Sequence, residues 1–178
     1  MTHAFADIAF TPAVKTAQQV EGSRAGYARA FEDASEGVSH REVGPDEAAF
    51  IAEQRSIVMA TVSETGWPYV QHRGGPKGFL KVLDASRIAF ADFAGNRQLV
   101  SVGNLSSNDR VALLLIDYAH SVRLKVLGRL SIATFDPRDP AHAALLDPGY
   151  AARPQRVFTI AVEAFDWNCP QHLTPRFT

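Results

Sequence analysis

The chain has a single cysteine, Cys169, which excludes an internal disulfide and fits a reducing, cytoplasmic setting. It has no apolar run near the roughly 20 residues that a membrane span needs, so no membrane insertion is expected. Its first residues, Met1 to Asp7, lack a basic start and a long apolar segment, so no secretory leader is expected. It has no excess of either charge: 18 Lys and Arg stand against 19 Asp and Glu, a net charge of −1. Nothing in that balance draws it to nucleic acid or to an anionic membrane, and any anion site has to be local. There is no repeat and no low-complexity tract. There is no GxGxxG after a strand, no GxxxxGK[ST] and no GxSxG, which excludes the usual dinucleotide loop, the P-loop and the serine-hydrolase elbow. No pair of acids stands out for general acid–base work, so no catalytic residue is named. Cys169 and His172 lie three apart without further ligands nearby, so no metal is expected, and Pro170 between them argues against a Cys–His nucleophile.

What is present is a globular composition. Hydrophobic residues make up 46% and charged residues 21% of 178, enough for one domain with a real core. Residues 1–11 read as a loosely held arm. Thr11-Pro12 is a helix start, and Ala13, Ala17, Val20, Tyr27, Ala28 and Phe31 give an amphipathic helix over 12–31, weakened by Gly22. Its apolar face has to cover the core or a partner. After a polar loop, Gly44-Pro45-Asp46-Glu47 starts a second helix to about Gln54.

From Ser56 the pattern turns to strands. Ile57–Val62, Trp67–Arg73, Gly78–Leu83 and Arg87–Ala91 are short, β-branched and joined by tight turns, which means antiparallel pairing. A short helix follows through Leu99, Val100 and Val102. Val111–Ile116 is apolar on both faces and so central. Val122–Ile132 alternates apolar residues with Arg123, Lys125 and Arg129, a half-exposed strand with a basic outer row. A short helix is expected within Pro137–Pro148, and Val157–Phe165 is the last strand. The tail from Asp166 has no periodicity. Strands of this number and spacing predict a mainly β fold, an antiparallel barrel with peripheral helices.

Two segments carry the chemistry. Gly95-Asn96-Arg97-Gln98 joins a glycine, a guanidinium and the start of a helix, three features suited to phosphate. By itself it is also compatible with a solvated loop arginine. Gln71-His72-Arg73 precedes a glycine turn, with Gln71 and Arg73 on one strand face and His72 on the other. Two such segments in one small barrel point to an anionic ligand held from two sides. Arg123 is a further candidate. Trp167, Asn168, Gln171 and His172 suit ring stacking and ring-edge hydrogen bonds, or a tail packed on the barrel.

These residues carry a resemblance. Ala60-Thr61-Val62-Ser63 with Gly66-Trp67-Pro68, His72-Arg73-Gly74-Gly75-Pro76, Ala91-Asp92-Phe93 with Gly95-Asn96-Arg97, and Gly103-Asn104-Leu105 with Asp109-Arg110 follow one another in a specific order. The segment from about Phe50 to Arg129 resembles the pyridoxamine 5′-phosphate oxidase-like, FMN-binding split-barrel family. The resemblance implies a Greek-key split barrel at 45–178 with a functional C-terminal tail, preceded by a helical extension at 1–44. It implies a homodimer with FMN at the subunit interface. Arg73 and Arg97 would hold the phosphate, helped by His72, Asn96 and Asn104. The ring would lie along Gln71, Phe90, Ala91, Asp92 and Phe93. Arg123, Trp167, Asn168, Gln171 and His172 of the partner subunit would close over it. The expected activity is that of a flavin-dependent oxidoreductase acting on a small molecule, with a nicotinamide reductant. Non-catalytic flavin binding is the alternative, and so are the deazaflavin F420 or haem, which other members use. Vitamin B6 oxidases have an Arg-x-x-x-Leu-Lys motif and an Arg-Leu end. This chain has Gln71-His72-Arg73-Gly74-Gly75 and ends Arg176-Phe177-Thr178, which argues against pyridoxamine phosphate as substrate.

Overall fold

Among the residues described by the computed structural model (3–32, 39–168, 171–174 and 176), seven antiparallel strands form one sheet. They are β1 (Ser56–Val62), β2 (Pro68–Gly74), β3 (Lys81–Asp84), β4 (Arg87–Phe93), β5 (Arg110–Asp117), β6 (Val122–Thr134) and β7 (Pro154–Asn168). Their order is β2-β1-β5-β6-β7-β4-β3. Around them lie α1 (Ala4–Ala9), α2 (Pro12–Val20), α3 (Arg24–Tyr27), α4 (Pro45–Glu53), α5 (Val100–Ser107) and α6 (Pro140–Ala143). No helix of the described residues is long and apolar enough to cross a membrane.

The period-two pattern puts one row of each strand inside. Ile57 and Met59 of β1, Leu113 and Leu115 of β5, Leu124 and Val126 of β6, and Phe158 and Ile160 of β7 are buried together. Phe90 of β4 stands edge-on to Phe79 and Phe158, with ring centroids 6.0 and 5.3 Å away. The sheet curls until Arg73, on the edge strand β2, meets Asp92 of β4 near the other edge, Nη1 to Oδ1 2.6 Å. This is the antiparallel barrel that the strand pattern predicts, in the split form that the resemblance implies. β5 is interior, as its apolar run requires, but its outward residues Ala112, Leu114 and Ile116 are only half-buried. The β6–β7 ladder is the longest and is bulged: Leu127 pairs with Ala164 and Gly128 with Val162, leaving Glu163 over. A Cβ on Gly128 would lie 2.4 Å from the Ala161 carbonyl oxygen, so only glycine lets the two backbones approach.

Several boundaries differ from the sequence reading. The single helix expected over 12–31 is broken. Gly22 takes φ 72°, Ser23 N donates to Gln18 O and Gly22 N to Gln19 O, which closes α2 in a Schellman turn. α3 and a π-helical turn, Ala28–Glu32, follow. The expected loose arm contains α1, whose Ala4 and Ala6 are buried against β7. β3 begins only at Lys81, because Gly78 turns the chain at φ 74° and donates to Gln54 O. β7 runs three residues past the expected end. Trp167 and Asn168 are therefore strand residues, opposite Leu124 and Arg123, and not part of an aperiodic tail. Cys169 lies outside the described residues.

The N-terminal extension folds on itself and onto β7. His3 N donates to Phe31 O and Ala4 N to Ser39 O within the extension, and Phe165 N of β7 donates to His40 O. The His3 and His40 rings stack at 3.7 Å, and each Nδ1 is buried without a hydrogen-bond partner among the described residues. Burial lowers the His3 pKa below its ordinary value, and His40 pushes the same way, while the carboxylates of Asp166 and Asp7 oppose. A histidine with a depressed folded pKa binds fewer protons folded than unfolded. Its contribution is complete above the unfolded pKa of about 6.5 and is lost as pH falls from there through the lower folded pKa. Thermal melts from about pH 7.5 to 5 should therefore show Tm falling below about 6.5, less so in His40→Phe.

Candidate functional site

Alternation along β2 decides which side chains reach the barrel mouth. Gln71 and Arg73 stand opposite Met59 and Ile57, two inward residues, and so point inward themselves. On the far side of the split, Asp92 of β4 stands opposite Arg156 of β7. The three charges converge. Asp92 is 6% exposed and receives Arg73 Nη1 at 2.6 Å and Arg156 Nη1 at 3.0 Å. The Arg73 guanidinium lies over the Phe158 ring, 5.3 Å from its centroid, and its Nε is buried without a hydrogen-bond partner among the described residues.

The loop from Gly95 to Leu99 completes the mouth. Arg97 and Leu99 both have φ 60°, a left-handed conformation that costs a non-glycine residue on the order of 1–3 kcal/mol and collects at functional sites. Asn96 Oδ1 accepts from Gln98 N at 3.1 Å and shapes the turn. Leu99 caps α5 with no side-chain hydrogen bond, so among the described residues no cap side chain satisfies the first-turn N–H groups. Ser101 Oγ, buried in that first turn, donates to Gln71 Oε1 at 2.8 Å. The enclosed space is about 70 Å³, lined by Gln71, Arg73, Asp92, Arg97, Leu99 and Arg156 among others. A neighbouring cavity of about 160 Å³ shares Arg73, Asp92 and Phe93 and adds His72, Gly74, Phe79, Phe90 and Ala91. Small-molecule sites usually take roughly 300–1,000 Å³. The mouth therefore has room for a phosphate-sized group and not for a fused ring.

The sequence candidates fall into two groups within one chain. Gln71, Arg73, Phe90, Asp92, Phe93, Asn96 and Arg97 gather around the mouth. His72 is on the exposed face of β2 but borders the second cavity. Ala91 and Phe93 point away from Asp92, Ala91 into a small cluster with Leu145 and Val157, Phe93 onto Tyr150 at 5.1 Å. Asn104 lines neither cavity: it is buried and its Nδ2 donates to Thr61 Oγ1 at 2.9 Å. The second group sits at the other end of β7, where Asn168 lies twelve residues from Arg156, at most about 40 Å of strand at roughly 3.3 Å per residue. There Arg123 Nη2 donates to Gln171 O at 3.1 Å, Asn168 is opposite Arg123, and His172 is exposed at φ 59°. Trp167 is held by its indole N–H on Glu47 Oε1, 2.8 Å, and by edge contact with Phe50. Arg156 and Ser101 are site residues that the sequence reading does not name. Arg156 was legible: it shares a strand face with Phe158 and Ile160.

Residues 44–167, most of the chain, match the family model for pyridoxamine 5′-phosphate oxidase. The chain belongs to the pyridoxamine 5′-phosphate oxidase family. Solved structures agree on the family fold. An FMN-binding protein from Syntrophomonas wolfei superposes with TM-score 0.55 at 16% identity, over 85% of this chain and 97% of that one. A Lactobacillus delbrueckii protein assigned as a pyridoxamine 5′-phosphate oxidase gives 0.53 at 19%, over 71% and 94%. HupZ of Group A Streptococcus gives 0.56 at 15%, over 75% and 99%. No curated protein matches the chain in sequence. The family match leaves the extension before residue 44 outside it.

Proposed function

We propose that this chain is an FMN-binding protein, working as a flavin-dependent oxidoreductase on a small molecule. The observation that carries the reading is the mouth near the start of α5, lined by Arg97 and by Arg73 and Arg156 paired to buried Asp92. Three guanidinium groups less one carboxylate leave two positive charges, and a phosphate monoester near neutral pH carries close to two negative ones. The unpartnered Nε of Arg73 is a spare donor for it. Arginine forks suit phosphate oxygens in pairs. The FMN-binding protein from Syntrophomonas wolfei lends the reading further support.

Arg73, Arg97 and Arg156 would hold the phosphate, and the first-turn amides of α5 would add to its field. Asp92 keeps two of the arginines side by side before any anion arrives. The Ser101 hydroxyl occupies Gln71 Oε1, leaving the Gln71 amide NH₂ as a donor toward a ring edge. When bound, FMN supplies hydride and single-electron chemistry, and the protein orients it and tunes its electronics. The substrate remains a small molecule of unassigned class, with a nicotinamide as the candidate reductant.

The mouth is too small for the ring, so the reading includes a second subunit. The support is an apolar outer row that runs straight across four strands, Val70, Ala60, Ala112 and Leu127, in direct register. Val70 is 60% exposed there. Covering this face in a two-fold dimer would bring Arg123, Gln171 and His172 of the partner subunit toward the ring. Trp167, tied to Glu47, serves its own chain.

The absorbance spectrum of the protein purified with added FMN tests the reading. The expected result is a stoichiometric flavin spectrum, bleached by NADH or NADPH and restored by air. A Soret band, or no retained flavin, would contradict it. Flavin retained without turnover would support the non-catalytic alternative.

A further inference from the structure

The N-terminal extension builds one wall of a second cavity. Phe10, Tyr27 and Phe31 contact one another edge-on or tilted, with ring centroids 5.4–5.8 Å apart. Facing them across a space of about 430 Å³ are Phe5, Trp167 and the strand ends that carry Lys125 and Asp166. That volume is in the usual range of a small-molecule site. None of the five aromatic side chains is fully buried, so this area of ring surface is not used up in folding. The wall is fixed. Glu32 holds Lys15 at 2.9 Å and also Arg24, His3 and Ala4 tie the extension to itself through Phe31 O and Ser39 O, and the bond from Phe165 N to His40 O ties it to the barrel. The cavity and the arginine mouth of the same chain share no lining residue, and Asp166 lies ten residues along β7 from Arg156, at most about 33 Å of strand.

We infer that this cavity is a separate binding site for a flat, uncharged heteroaromatic molecule with an N–H and a C=O side by side on one edge, as in a lactam. The rings supply stacking surface for the flat body. Gln18 and Asn168 also line the cavity, and its charged groups are one pair: Lys125 Nζ lies 3.3 Å from Asp166 Oδ2, with side chains 37% and 15% exposed. An adjacent cation and carboxylate offer one donor and one acceptor at lactam spacing. The ligand N–H donates to Asp166 and its C=O accepts from Lys125. A charged ring meets a like charge at one of the two, which selects for a neutral one. Lys125 also lies over the Phe5 ring at 5.2 Å, so a ligand cation has no vacant aromatic face to claim there. The inference does not depend on the flavin reading.

The test is a titration of the full chain, flavin-free, with 2-quinolinone, followed by the indole N–H signals of Trp67 and Trp167. Trp67, 76% exposed on the β1–β2 turn, is the internal control. A Trp67→Phe sample assigns the two signals. The Trp167 signal should move saturably and the Trp67 signal should not. 1-Methyl-2-quinolinone, which lacks the donor, should bind about tenfold more weakly, the loss expected for one hydrogen bond to a charged group. Tyr27→Ala should weaken 2-quinolinone at least several-fold, and Tyr27→Phe, which keeps the ring, should not. A saturating excess of FMN should leave the titration unchanged. No movement of the Trp167 signal, equal movement of both, equal affinity for the methylated probe, or displacement by FMN would each overturn the inference. Displacement would make the cavity part of the flavin site instead.

Discussion

Asp92→Ala is expected to lower the stability of the flavin-free protein by about 3 kcal/mol, and FMN or inorganic phosphate to restore more of it than the same anion adds to the unaltered protein. Asp92 sits between two guanidinium groups whose side chains are only 16% and 23% exposed. Removing one member of a buried ion pair typically costs ~3–5 kcal/mol, because the surviving charge is left without a partner. Here two charges are left facing each other. The lower end of that range applies because the arginines keep some contact with water. An anion bound in the mouth replaces the missing carboxylate, and ligand binding to the folded state adds stability by mass action. Urea unfolding of both proteins, with and without FMN, measures both effects. A loss under about 1 kcal/mol would mean that the arginines are already solvated. A loss that no anion restores would mean that the cluster is structural.

Arg97→Ala, Arg73→Ala and Arg156→Ala are each expected to weaken FMN by ~1.5–3 kcal/mol, roughly ten- to 150-fold in Kd. The three differ in a second readout. Arg97 is exposed, so its loss should leave the urea midpoint unchanged. Arg73 and Arg156 each share Asp92, so losing either should also lower stability. Flavin fluorescence titrations beside unfolding curves separate binding from folding. Full affinity in all three variants would remove the phosphate from this mouth.

The fold was legible because its signal is periodic. β1, β5 and β6 as far as Leu130 alternate buried with more exposed residues, and the glycines at 66 and 78 mark turns with φ 85° and 74°. What was not legible depended on partners distant in sequence. The end of β7 was invisible because Trp167 and Asn168 become strand only through pairing with Leu124 and Arg123. The break in the first helix was half legible: Gly22 was noted as weak, but its role as a stop needed the Schellman bonds. In the site, Arg73 and Arg97 were readable from glycine-flanked motifs. Arg156 had no such motif, and only its alternation with Phe158 and Ile160 pointed inward. Asn104 looked like a ligand residue on the α5 motif, and its hydrogen bond to Thr61 shows a packing contact that no spacing could reveal. The aromatic cavity needed the extension to fold back on β7, which the sequence showed only as an apolar face in want of cover.

The central claim is that the arginine mouth reads a phosphate. The most direct measurement is to compare FMN with riboflavin on one flavin-free preparation, in the unaltered protein and in Arg97→Ala. FMN should bind at least about 100-fold more tightly than riboflavin, the worth of two or more charge-assisted contacts, and Arg97→Ala should shrink that ratio without changing riboflavin. Equal affinity for the two flavins would contradict the account.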